Sequence, residues 1–166
     1  MRRKRVALIS EHASPLALPG GVDSGGQNVY VGQLARRLPQ LGYHVDVFTR
    51  RDCPEPPEIV AWADHARIIH VPAGPAAPVR KEEMLPLMGE FTEFLARHCG
   101  RHGSYDLIHA NFFMSALVAA DFKRATGVPF VVTFHALGRV RRQHQGGQDG
   151  FPEERLAIED RVVREA

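Results

Sequence analysis

The chain has 166 residues, 44% of them apolar and 24% charged, with a formal net charge of +2. This is long enough for one domain with its own core, and the composition is that of an ordinary globular protein. Scattered arginines exclude a massed nucleic-acid face, no apolar run is long enough to span a membrane, and two cysteines, Cys53 and Cys99, are too few for a disulfide framework.

The basic start, MRRKR, is followed by a short apolar run over Arg5 to Ser10. Glu11 and His12 arrive too soon for a secretory signal, so the run predicts a buried strand and a cytoplasmic protein. Tyr30, Leu34, Leu38 and Leu41 make a helical stripe over 27–41, ended or kinked near Leu38 by Pro39, with Gly42 as the stop. His44 to Thr49 alternates and predicts a second strand. Residues 51–66, rich in proline and acid, read as a loop; Ala66 to Val71 is a third strand, and 72–82 an irregular connection. Met84, Leu87, Met88, Phe91, Phe94, Leu95 and His98 give the clearest helical period, with Pro86 in the first turn and Gly100 as the end. A fourth strand over Tyr105 to Ala110, a helix over 112–125 closed by Gly127 and Pro129, and a fifth strand over Phe130 to Phe134 follow. A glycine-rich polar loop runs to Gly150, and Phe151 to Ala166 begins another helix. Strands alternating with helices predict a doubly wound α/β domain with a parallel sheet, whose ligands bind at the carboxyl ends of the strands.

The stretch GGVDSGGQNVY, residues 20–30, raises a question of cost. Ser24 and Gln27 have the spacing of a capping box, which would place Gly25 and Gly26 in the first helical turn. Glycine is a poor helix former. Without a Cβ, however, a ligand can reach the free N–H groups of the helix start, which favour an anion or a sugar hydroxyl; a flexible turn with a glycine start is the alternative. The dinucleotide fingerprint G-x-G-x-x-G does not fit, because the connection after the first strand is too long. The second strand ends in Thr49-Arg50-Arg51 rather than an acidic residue, and an arginine there could accept a 2′-phosphate, which keeps an NADP-binding domain as an alternative.

The run GGVDSGGQNVYVGQLARRLPQLGYHVDVFTR, together with YDLIHANFFMSAL, GVPFVVTFHALGR and R-L-A-I-E-D-R, is similar to the N-terminal domain of retaining glycosyltransferases of family 4, in the sucrose-phosphate synthase, sucrose synthase and mycothiol glycosyltransferase branch. The similarity covers nearly the whole chain in order. It implies the Rossmann-like, acceptor-binding half of a glycosyltransferase-B fold. The donor half, which would bind the nucleotide diphosphate sugar, is not recognisable here, and the chain stops inside a helical pattern at RVVREA, so a truncated protein is expected.

By the same resemblance, His135 faces the cleft and helps position the transferred sugar; otherwise it is a histidine tied to backbone in a loop. Gly25, Gly26, Gln27 and Asn28 match the glycine loop, where amides and polar side chains approach donor phosphate or acceptor hydroxyls, although Asn28 can be only a helix-start residue. Lys81 matches a lysine aimed at the acceptor, and Arg155 an arginine that binds an acceptor phosphate in some relatives; a solvated lysine and a surface arginine are the alternatives. His109 and Asn111 are expected to line the cleft, His109 alternatively being structural. Phe112 departs from the family, where several relatives carry tyrosine, and Ala136 stands where a small hydroxyl residue is common. No cofactor or metal is implied. The H-x-x-x-H spacing of His98 and His102 could put two imidazoles on one face, but a helix end at Gly100 would separate them. The expected reaction moves a hexose from a nucleotide diphosphate sugar to a sugar or sugar-phosphate acceptor. An NADP-dependent oxidoreductase domain and a non-catalytic sugar-binding module are the competing readings.

Overall fold

Strand β1, Lys4–Ile9, sets the layering. Val6 and Leu8 point to one face of the sheet and Ala7 and Ile9 to the other, as the two-residue period of a strand requires. Both faces are covered, which explains why β1 reads as a continuous apolar run. The computed structural model describes residues 2–16 and 25–166. Within them the sheet has the order β3-β4-β2-β1-β5-β6, with β2 at Tyr43–Arg50, β3 at Ile59–Ala63, β4 at Ala66–Val71, β5 at Leu107–Asn111 and β6 at Phe130–Thr133. All pairings are parallel except β3 with β4. The expected doubly wound α/β fold is borne out. Successive connections run outward from β1 to one side and later return to its other side, so the switch point lies between β1 and β5.

Helix α1, Gly26–Arg37, covers the face of Val6, Leu8, Val45 and Val47 with Val31 and Ala35. Pro39 falls in a 3-10 turn over Leu38–Leu41, and Gly42 closes it with φ +91°. Helices α2, Met88–His102, and α3, Phe113–Thr126, cover the other face with Phe91, Leu95, Val118 and Phe122. Two further helices, α4 at Gly138–Gln145 and α5 at Glu154–Glu165, complete the described chain. No helix among the described residues is long and apolar enough to cross a membrane.

Three expectations need correction. Residues 59–63, read as loop, form β3, an edge strand whose Val60 and Trp62 pack on the α1 face. The glycine-rich loop before Gly150 contains α4, whose first N–H, on Gly138, is held by both carboxylate oxygens of Glu159 at 3.0 Å. Gly100 does not end α2. The helix runs on to His102 and stops at Gly103, φ +85°, because Arg5 Nη1 donates to the orphan carbonyls of His102 (2.7 Å) and Gly103 (2.8 Å). His98 and His102 therefore do share a face, with ring centroids 4.4 Å apart. Among the described residues, no group of three or more His, Cys, Asp or Glu is placed to hold a metal ion.

Candidate active site

The carboxyl ends of β1, β5 and β6 meet the start of α1 at the switch point. Ser24 lies outside the described residues, so the expected S-x-x-Q box is not described. The N-cap of α1 is Gly25, one residue earlier than the first turn in which it was expected. Asn28 reaches back to accept from Gly25 N–H at 2.9 Å, and its Nδ2 donates to Ser14 O at 2.9 Å. With both ends of its amide used and 8% exposure, Asn28 holds the loop in place. Gly25 and Gly26 are exposed, and a Cβ on either would meet no described atom within 4 Å. Among the described residues, packing requires neither glycine.

Gln27 ties the helix start to two strand ends. Its Nε2 donates to Ser10 Oγ (3.1 Å) and to Asn111 O (3.3 Å). Asn111 is fully buried at the end of β5. Its Nδ2 donates to Ile9 O and His109 O, both at 3.3 Å, which leaves Oδ1 as an acceptor. His135 Nε2 lies 3.0 Å from that oxygen. His135 Nε2 is therefore the protonated nitrogen, and Nδ1 keeps a lone pair. Partial burial holds this imidazole below its ordinary pKa, with His12 acting in the same direction and Glu11 against it. The ring is neutral at pH 7, a hydrogen-bonding group rather than a cation. His135 has φ +59°, a conformation uncommon outside glycine, and stands edge-on to Tyr30 at 5.1 Å. His109 lies deeper. Its Nε2 meets Thr133 Oγ1 at 2.9 Å, its ring faces the edge of Tyr30 at 6.1 Å, and burial and then His135 lower its pKa.

Phe112 follows β5 with φ +84° and ψ 163°, a region almost confined to glycine. Surrounding contacts over-determine it. Its ring packs on Phe113 at 5.0 Å, Phe151 at 5.6 Å and the edge of His12 at 5.1 Å, and the Arg155 guanidinium lies 4.9 Å from its centroid. Arg155 is not a surface arginine: it is 1% exposed. Its Nε donates to Glu159 at 2.8 Å and its Nη2 to Ala136 O at 2.7 Å, next to His135. Nη1 is buried without a partner among the described residues. Glu159 thus joins Arg155 to the start of α4, and the loop carrying His135 is held from α5. Lys81 begins a 3-10 turn, Lys81–Glu83, and is half-buried near the α5 entry. That turn touches this entry, since a Cβ on Gly150 would lie 3.3 Å from Glu82 Cγ.

Sequence reasoning missed Glu11, His12 and Ser115. Glu11, 1% exposed, accepts from Ser115 Oγ at the start of α3 and lies 2.8 Å from His12 Nδ1. A buried carboxylate beside one ring nitrogen orients the imidazole. The pair directly follows β1, so position after a strand end was the available signal. The arginines at the end of β2, by contrast, donate to nearby carbonyls. Arg50 donates to the carbonyls of Pro75 (2.7 Å) and Ala77 (2.5 Å), and Arg51 to Pro56 O (2.8 Å). Neither is offered to a 2′-phosphate.

Residues 25–166 match the glycosyl transferase 4-like domain. The chain belongs to this family. Glycosyl transferase 4-like relatives include D-inositol 3-phosphate glycosyltransferase 1 of Catenulispora acidiphila, 43% identical over 163 residues, covering 98% of this chain and 38% of the relative. The D-inositol 3-phosphate glycosyltransferase of Actinosynnema mirum is 38% identical over 167 residues, with 98% and 40% covered. Sucrose-phosphate synthase from Thermosynechococcus elongatus superposes with a TM-score of 0.93 at 34% identity, covering 99% of this chain and 41% of that one. The expected glycosyltransferase-B architecture and its sucrose-phosphate synthase-like half are borne out. This glycosyl transferase 4-like chain spans about two fifths of the length of these relatives.

Proposed function

We propose that the chain is the acceptor-side half of a retaining glycosyltransferase that moves a hexose from a nucleotide diphosphate sugar to a hydroxyl of a sugar or sugar phosphate. The observation that carries this reading is the cluster at the switch point: a neutral His135, fixed by Asn111, beside a helix start whose two glycines are exposed. The α1 start favours the negative charge of a donor phosphate. His135 Nδ1 can accept a hydrogen bond from a sugar hydroxyl, and the Nε2–H···Asn111 bond keeps that lone pair aimed. Glu11 turns the His12 ring toward the same end of the sheet. The half that would hold the nucleotide closes over this end, excludes water and aligns the two sugars. Relatives named for D-inositol 3-phosphate and a neighbour named for sucrose phosphate support a polyol or sugar-phosphate acceptor. Lys81 is the cation proposed to meet such a phosphate, while Arg155, buried and paired with Glu159, supports the site from behind Phe112, which removes a hydroxyl from that set.

The test is His135→Ala in the whole protein. A fall in kcat of about tenfold to a hundredfold with a modest change in acceptor KM is expected, the mark of a contact strengthened in the transition state. Unchanged kinetics would return His135 to a loop-holding role. Titration with nucleotide sugars and NADPH separates this reading from an oxidoreductase domain.

A further inference from the structure

The opposite end of the sheet carries a second cluster. Strands β1, β2 and β4 begin there, β3 ends there, and α2 ends beside them. A cavity of about 580 Å³ is lined by Arg5, His44, Asp46, His65, Arg67 and His102. A second, also about 580 Å³, lies against Arg3, Arg36 and Trp62, and the two share Ala63 and His65. His65 therefore stands on the ridge between them, with its ring edge-on to His44 at 4.6 Å.

The charges do not balance. Arg5 is held by the carbonyls at the end of α2 and by the Tyr105 ring, 4.7 Å away. Arg3 donates to Pro39 O at 3.2 Å, and Arg36 lies over Trp62 at 4.9 Å. These three guanidiniums are fixed mainly by neutral groups, so their charge is placed but not cancelled. Asp46 is occupied by Arg67 through two contacts of 2.7 Å and by the Tyr105 hydroxyl at 2.6 Å, with Arg5 Nη2 at 3.5 Å. Asp64, 3.6 Å from His65 Nε2, is 94% exposed.

His65 itself is the second observation. It fills the last position of the two-residue turn between β3 and β4 with φ +57°, where glycine or asparagine is preferred. The turn thus places an imidazole, rather than a bare glycine, on the ridge between the two arginine-lined cavities.

We propose that this end of the sheet is a binding site for a small phosphate-bearing anion, a phosphate monoester or diphosphate, gripped by His44 and His65 and framed by Arg3, Arg5, Arg36 and Arg67. The His44 environment agrees. Slight burial, then His65, Arg3 and Arg5, holds its pKa below the ordinary value, against the pull of Asp46. A bound anion relieves that repulsion, raises the His44 pKa, and binds more tightly as the pH falls toward the ordinary histidine range.

The test is titration of the protein with inorganic pyrophosphate at constant ionic strength, followed through the imidazole NMR resonances. Saturable shifts of His44 and His65, with an upward move of the His44 titration midpoint, are expected. Shifts of His109 and His135 report separately on the other end of the sheet. His65→Gly is the decisive variant. It relaxes the turn and keeps the Val45 N–H to residue 65 carbonyl bond of 2.9 Å. The fold should be at least as stable, while pyrophosphate affinity falls about tenfold or more. His44→Gln, at an exposed position, should weaken binding without disturbing the sheet. Pyrophosphate that moves only His109 and His135, or moves nothing, overturns the proposal, as does full affinity in His65→Gly.

Discussion

At the scale of single residues, the helix start and Phe112 make opposite demands. Gly26 has open space where a side chain would go. Gly26→Val should leave folding stability within about 0.5 kcal/mol, since valine is no worse a helix former than glycine, while obstructing approach to the amides. Thermal unfolding beside nucleotide-sugar binding in the whole protein separates the two effects; equal binding would make the loop only a turn. Phe112 is in a costly backbone conformation because four neighbours hold its ring. Phe112→Tyr is designed to keep those contacts and to add the hydroxyl that the family resemblance implies. It should raise kcat/KM for a phosphorylated acceptor relative to its unphosphorylated form by about tenfold, the worth of one hydrogen bond to a charged group. An unchanged ratio would show that residue 112 does not face the phosphate. The tightest ties of the candidate site were not legible in the sequence. Gln27 and Asn111 meet across 84 positions, and Glu11 and Ser115 across 104. No local spacing carries such pairings. The types and order of groups after each strand end were legible, and they pointed to His135, Asn111 and the glycines.

At the scale of elements, what could be read followed from period. The first and second strands and α2 carry strong apolar patterns that packing then confirms. What could not be read depended on a distant side chain. Arg5 lets α2 pass through Gly100 by taking its last carbonyls, and Glu159 starts an otherwise polar α4. The longer α2 has an acid-sensitive core. His98, 3% exposed and packed against Phe48 at 5.2 Å, has no partner for Nε2 among the described residues. Burial first, then His102, lowers its pKa from 6.5 to about 4. Above pH 6.5 the ring is neutral both folded and unfolded, with no penalty. Between 6.5 and about 4 the unfolded chain takes up a proton that the folded one refuses, so stability falls with pH and levels off below about 4. The loss amounts to up to about 3 kcal/mol. His98→Leu should flatten this limb in urea unfolding measured across that range and leave neutral stability equal or higher. An unaltered acid limb would place the titrating group elsewhere.

At the scale of the molecule, the candidate site occupies one end of a sheet. The relatives are more than twice as long as the region they share with this chain. Residues 1–166 alone should bind acceptor weakly and transfer no sugar, because the nucleotide would be held on one side only. Product release from a nucleotide sugar by this chain, read by chromatography of the reaction mixture, would overturn that expectation.

The sheet order also has a consequence for biosynthesis. β1 is made first, yet one of its two edges waits for β5, roughly a hundred residues later. At a translation rate of about 5–20 residues per second, that edge stays unmatched on the ribosome for about 3–12 s after β2 is complete. Its residues are Val6 to Ile9, apolar on both faces. Nascent chains stalled between β2 and β5 should therefore be the ones that recruit chaperones, and release from them should coincide with the emergence of Asn111 from the exit tunnel.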